Sequence, residues 1–179
     1  IADASLAGAT GHSLGGKLSL LAATLDPRIR ATITLDPVDA SMNCSPSDCP
    51  DVSALMPLDI PTAFLGETLD ASGGFQPCAP AQHNYTTFYA GTTSPSLQVT
   101  VLGANHMSFI DDVASCGFTC GFCNTPTLDN ATVNALSKAF VVAFYRRWLN
   151  GEQAYDDYLT GPAAQARYVE TGLATIASK

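Results

Sequence analysis

Basic residues are scarce in this chain: Lys and Arg number 8 against 16 Asp and Glu, and charged residues make up only 13% of its 179 residues. The resulting net charge of -8 argues against nucleic acid or an anionic membrane surface as a partner, since both would repel it. No apolar run is long enough to cross a bilayer, so no membrane span is expected. Ile1 to Ser5 carry neither the basic region nor the apolar core of a targeting segment, which would have to lie outside these residues. Histidine is rarer still, at 12, 83 and 106, so chemistry that needs an imidazole has few candidates. What the chain does have is apolar content, 46%, enough to bury one sizeable core. With no repeat and no linker in sight, a single domain over 1–179 is expected.

Six cysteines, at 44, 49, 78, 116, 120 and 123, crowd into segments rich in Pro, Gly, Ser and Asn. Cys120-x-x-Cys123 has zinc-like or redox-like spacing, but no second matching pair accompanies it. Three disulfides are therefore expected, of which only Cys44 with Cys49 is assigned, and neither a metal nor another cofactor is called for. Bridges imply an oxidising compartment, hence a secreted or periplasmic protein.

The stretch that organises the chain is Gly11-His12-Ser13-Leu14-Gly15-Gly16. Leu6, Ala7, Ala9 and Thr10 before it suit a buried strand, while Leu14, Leu18, Leu21 and Leu25 after it recur at spacings of four, three and four, the period of one helix face. Ser13 thus stands where strand turns sharply into helix. Such a turn strains the serine backbone and requires very small residues two before and two after it, here Gly11 and Gly15. In this context G-x-S-x-G reads as the nucleophile turn of an α/β-hydrolase.

Asp26-Pro27 ends that helix, and the β-branched run from Ile29 to Leu35 predicts the next strand, closing at Asp36-Pro37-Val38-Asp39. A third strand is predicted over Ile60 to Gly66, with the polar loop from Glu67 to Gly74 beyond it, and a fourth over Leu97 to Val101, with His106 just past its end. A short helix is predicted within Ala81 to Ala90. A long one spans Asn130 to Asn150, with Val133, Leu136, Phe140, Phe144 and Trp148 on one face and Gly151 as its stop. Tyr155 to Leu159 and Ala163 to Leu173 read as terminal helical turns.

Strands alternating with helices predict a mostly parallel sheet with helices on both faces, in which reacting groups gather at the carboxyl ends of the strands. Ser13, Asp36, Asp70 and His106 all fall there. Only four strands are legible, however, and the serine strand comes first, whereas a complete sheet of this kind has about eight with that strand near its middle. The chain is expected to be the C-terminal half of an α/β-hydrolase fold, its N-terminal strands supplied from elsewhere.

A serine hydroxyl needs an imidazole to take its proton and a carboxylate to hold that imidazole. His12 should point away from the serine's side of the turn, and His83 should be exposed, which leaves His106. Two acids compete: Asp36 follows the first strand after the serine helix, and Asp70 follows the second, the commoner place. Asp39 is expected to cap its loop. The Leu14 N–H, opening a helix, is the expected oxyanion donor, and the second donor belongs to a loop not in this sequence.

Gly11-His12-Ser13-Leu14-Gly15-Gly16-Lys17, Leu35-Asp36-Pro37-Val38-Asp39, Cys78-Ala79-Pro80, Phe88-Tyr89, Asn105-His106-Met107 with Asp111-Asp112 behind it, and the run from Ala139 to Phe144 together resemble the chlorophyllase family. Members of that family are α/β-hydrolases that cleave the phytyl ester of chlorophyll. The resemblance implies a triad of Ser13, Asp36 and His106. Two departures are the leucine at 14, where plant chlorophyllases usually have arginine, and the presence of Asp70. More distantly the chain is similar to cutinase-like polyester hydrolases, which place their acid at the position of Asp70. The substrate is thus expected to be an apolar ester of chlorophyll, lipid or polyester type. The alternatives are an acyltransferase, a dienelactone-type hydrolase, or an inactive binding relative on the same fold.

Overall fold

The structure is a computed structural model that describes residues 3, 5–39, 49–72 and 77–179. Its frame is one five-stranded sheet: β1 (Ala7–Ala9), β2 (Ile29–Leu35), β3 (Thr62–Glu67), β4 (Ser96–Val101) and β5 (Ala174–Ser178), in that spatial order. β1 to β4 run parallel, and β5 returns antiparallel along β4, with Val99 opposite Ile176. Parallel neighbours need crossover helices, and the helices α1 (Leu14–Leu25) and α2 (Tyr85–Ala90) supply two of them. Leu20, Phe64, Tyr85 and Phe88 form one apolar cluster with Val52, and Phe64 stacks on Phe88 at 6.1 Å.

The larger cluster covers the opposite face of the sheet. There α3 (Asn130–Trp148) lays Val133, Leu136, Phe140 and Phe144 against Ile33, Leu65 and Val99. These are the residues its sequence period places on one stripe, and Trp148 packs at the edge. Asp129 caps the helix by accepting the Thr132 N–H at 2.8 Å, and Gly151 adopts φ 74° just beyond its end, a left-handed position that glycine takes without strain. The mostly parallel sheet with helices on both faces is the arrangement expected from the sequence.

Three features were not foreseen in the sequence pattern. The leucine stripe of α1 is not its buried face: Leu14, Leu18 and Leu25 are 52%, 52% and 76% exposed, and Gly16, Lys17 and Leu20 turn inward instead. Lys17 is tolerated inside because its ammonium meets an Asp39 carboxylate oxygen at 3.0 Å and the Asp39 carbonyl at 2.9 Å. The tail holds the second: after helical turns over 156–169, residues Ala174–Ser178 form a fifth, edge strand beyond the four legible in the sequence. Its composition, Ala-Thr-Ile-Ala-Ser, is too weakly apolar to announce a strand, and only pairing with β4 makes it one.

The third concerns the serine turn. A Cβ on Gly11 would collide with the backbone of Gly15, as a tight turn requires, but a Cβ on Gly15 meets nothing. The second crowded position is Gly16, where a Cβ would lie 2.9 Å from Pro37. The glycine pair thus lets the turn press against itself and against the loop that follows β2.

Candidate active site

Each candidate side chain leaves the carboxyl end of a strand. Ser13 sits at φ 56° and ψ -123°, a strained conformation for a residue with a side chain, held by its N–H donating to the Leu35 carbonyl at 3.0 Å and by the first bonds of α1. Asp36, directly after β2, is also left-handed at φ 43°, and its N–H donates to Leu65 of β3 at 2.6 Å. His106 opens a 3-10 turn, His106–Phe109, capped reciprocally by Asn105 and Ser108.

These three positions converge. His106 Nε2 lies 2.8 Å from Ser13 Oγ, and His106 Nδ1 lies 2.6 Å from Asp36 Oδ2. With Nδ1–H donating to the carboxylate, Nε2 is left as an acceptor for the serine hydroxyl. Burial pushes the His106 ring down to about 4, against an upward pull from Asp70, so at neutral pH it stands in its base form. Asp36 is fully buried, and burial followed by the nearby Asp70 charge pushes its carboxyl well above the usual range.

Asp70 reaches His106 differently. Its Oδ2 accepts the backbone N–H of His106 at 2.8 Å, and its Oδ1 accepts the Asn124 N–H at 2.7 Å and the Asn124 side-chain amide at 3.0 Å. Asp70 is fully buried and ties two loops together. Glu67, the last residue of β3, is buried beside it and accepts the N–H groups of Leu69 and, at 2.8 Å, Asp70 on a single carboxylate oxygen.

His12 does not point away from the site. Its ring lies 4.5 Å from that of His106 and tilted by 38°, and its Nε2–H donates to the His106 carbonyl at 2.8 Å. Burial, then the neighbouring imidazole, pushes it down to about 4. His83 is half-buried rather than exposed, its carbonyl accepting the Asp39 N–H at 2.7 Å. Asp39 does cap its loop, accepting the Val52 and Ser53 N–H groups at 3.0 and 2.7 Å.

The cysteines brace the histidine loop. Cys78 joins Cys123 and Cys116 joins Cys120, with Cα separations of 5.4 and 5.7 Å, so the C-x-x-C spacing divides between two bridges and holds no metal pair. Asp70, Cys78 and Cys123 cluster, but both sulfurs are spent in the disulfide. The expected Cys44–Cys49 pairing involves Cys44, which lies outside the described residues. No helix of the described chain is long and apolar enough to cross a membrane.

The chlorophyllase family model matches residues 1–166. The chain belongs to the chlorophyllase family. Among solved structures, this chlorophyllase-family chain superposes on a ferulic acid esterase from Streptomyces cinnamoneus with a TM-score of 0.63 and 22% identity. The superposition covers 97% of this chain and 47% of the esterase, so the chain spans about half of that neighbour's length, and at this identity the likeness establishes the α/β fold. No curated protein matches the chain by sequence.

Sequence reasoning missed two residues of this family member's site. Asn124 carries no signal of its own, being a polar residue just past the cysteine loop. Glu67 was visible only as a companion of Asp70. A strand-terminal glutamate on an otherwise apolar strand was the available sign that it would be buried.

Proposed function

We propose that the chain carries the catalytic half-site of a serine carboxylic-ester hydrolase, with Ser13 as nucleophile, His106 as base and Asp36 as the acid that orients it. The observation that supports this most directly is the continuous hydrogen-bonded line from Ser13 Oγ through both ring nitrogens of His106 to Asp36 Oδ2. Asp70, bonded to the backbone rather than the ring, positions the loop.

In the proposed reaction, Ser13 Oγ attacks the ester carbonyl carbon while His106 Nε2 takes its proton, and the imidazolium is stabilised by Asp36. The tetrahedral oxyanion draws the Leu14 N–H at the start of α1, where the helix dipole adds to the donor. Collapse breaks the bond to the alcohol, which leaves with the proton from His106, and the acyl group stays on Ser13. Water then repeats the attack with His106 again as base, releasing the acid and restoring the serine.

The substrate we propose is an uncharged, apolar ester of chlorophyll, lipid or polyester type. Family membership supports an ester substrate, and the exposed Leu14 side chain places an apolar surface beside Ser13. The two disulfides support residence in an oxidising compartment, hence a secreted or periplasmic protein. Ser13→Ala is the test: turnover of a p-nitrophenyl ester should fall by about 10^3-fold or more, and retained turnover would end this reading.

A further inference from the structure

Two buried carboxylate oxygens near the site lack a partner among the described residues: Asp36 Oδ1 and Glu67 Oε1. The strands that carry them are neighbours. Leu35 pairs with Leu65, and the Asp36 N–H reaches the Leu65 carbonyl, so Asp36 comes level with Gly66, one residue before Glu67. Glu67 has committed only its other oxygen, to the Leu69 and Asp70 N–H groups. Two ionised carboxylates so placed would repel, and each would leave a desolvated acceptor empty. One proton between them removes both costs.

We propose that Glu67 is a positioning residue that stays protonated and donates its carboxyl proton toward Asp36 Oδ1, so that the single negative charge of the pair is directed through Asp36 Oδ2 at His106. The idea rests on Asp36 being the acid of the proposed triad. Burial pushes both carboxyls up, Glu67 to about 8 with the Asp36 charge adding to it, and because Asp36 Oδ2 accepts the His106 Nδ1–H at 2.6 Å the proton of the pair falls to Glu67. The titratable groups around it are Asp36 at the end of β2, Asp70 on its own loop and Tyr85 from α2, whose hydroxyl donates to the Glu67 carbonyl at 3.2 Å, with His106 held on the other oxygen of Asp36. None of them supplies a cation at neutral pH, since the His106 ring is neutral there. Among the described residues, a proton on Glu67 is the remaining way to place positive character against Asp36 Oδ1.

Glu67→Gln mimics the neutral acid: its carbonyl keeps the two N–H groups of the loop and its amide donates toward Asp36. The decisive experiment compares denaturant unfolding of wild type and Glu67→Gln across pH. Glutamine does not titrate, so the ratio of the two unfolding constants isolates Glu67. If Glu67 is protonated when folded and ionised when unfolded, unfolding releases a proton between about pH 4.5 and 8. Wild type should then lose stability relative to the variant as pH rises, by about tenfold in that ratio per pH unit. A ratio that does not move with pH would mean an ionised Glu67 and would overturn the proposal. In an Asp36→Asn background the pH dependence should shrink, because the charge that holds the proton is gone, and an undiminished dependence would equally overturn it.

The consequence for the serine is read by its rate of fluorophosphonate labelling, which should be within about threefold of wild type in Glu67→Gln but reduced about tenfold or more in Glu67→Leu, which lacks a donor. A wild-type chain that fails to label would count against the hydrolase reading, while the unfolding ratio would still decide where the proton lies.

Discussion

Asp70 grips His106 by its backbone N–H, at 2.8 Å, and leaves the imidazole to Asp36. The two acids that a sequence offers as equivalents thus do different work on one residue. Removing the ring partner should leave the imidazole in the wrong tautomer, so Asp36→Asn is expected to lose about 10^4-fold in turnover with the fold intact. Asp70→Asn keeps one acceptor oxygen for the loop and should lose about tenfold or less. Steady-state kinetics of the two variants on one ester decides between the acids, and the reverse order would assign the role to Asp70.

The serine turn gives a prediction on stability. Gly11→Ala drives a Cβ into the Gly15 backbone and should destabilise by about 1–3 kcal/mol or prevent folding, whereas Gly15→Ala points into open space on a helix and should be neutral or stabilising by about 0.5–1 kcal/mol. Thermal unfolding of the pair tests this. Equal damage from both would mean that the turn is packed differently.

This contrast shows how much the sequence could reveal. The G-x-S-x-G pattern located the turn, and the strand ends located Ser13, Asp36 and His106, because β-branched runs and proline stops are local signals. Which acid meets the ring was not local, since it depends on the path of the loop after β3 and on Asn124, 54 residues from Asp70. The leucines of α1 misled for a related reason: periodicity reports that a helix has an apolar stripe but not what that stripe faces, and here Lys17 went inside because Asp39 awaited it. β5 was illegible because an edge strand of small residues has no pattern of its own.

The acid limb of activity has a definite sign. His106 must be neutral to accept the serine proton, and burial has pushed its ring down to about 4 from 6.5. Turnover should therefore hold as pH falls through 6.5 and be lost only near about 4. A kcat/KM profile that bends near 6.5 instead would show a solvated ring.

Bridging Cys78 to Cys123 closes a separation of 45 residues and sits next to Asn124, which supports Asp70 and through it the His106 loop. Non-reducing peptide mapping should recover Cys78 with Cys123 and Cys116 with Cys120. Cys78→Ser with Cys123→Ser should cost about 4 kcal/mol by loop-closure entropy and lower turnover as well. Full activity in the double variant would detach the bridge from the site.

The central claim is that His106 activates Ser13, and active-site labelling tests it most directly. Wild-type chain treated with a fluorophosphonate at neutral pH should gain one adduct, located by mass spectrometry on the peptide containing Ser13. Labelling should be abolished in Ser13→Ala and slowed by about 10^3-fold or more in His106→Ala. An adduct that persists in Ser13→Ala, or a Ser13 that labels at the wild-type rate without His106, would contradict the claim.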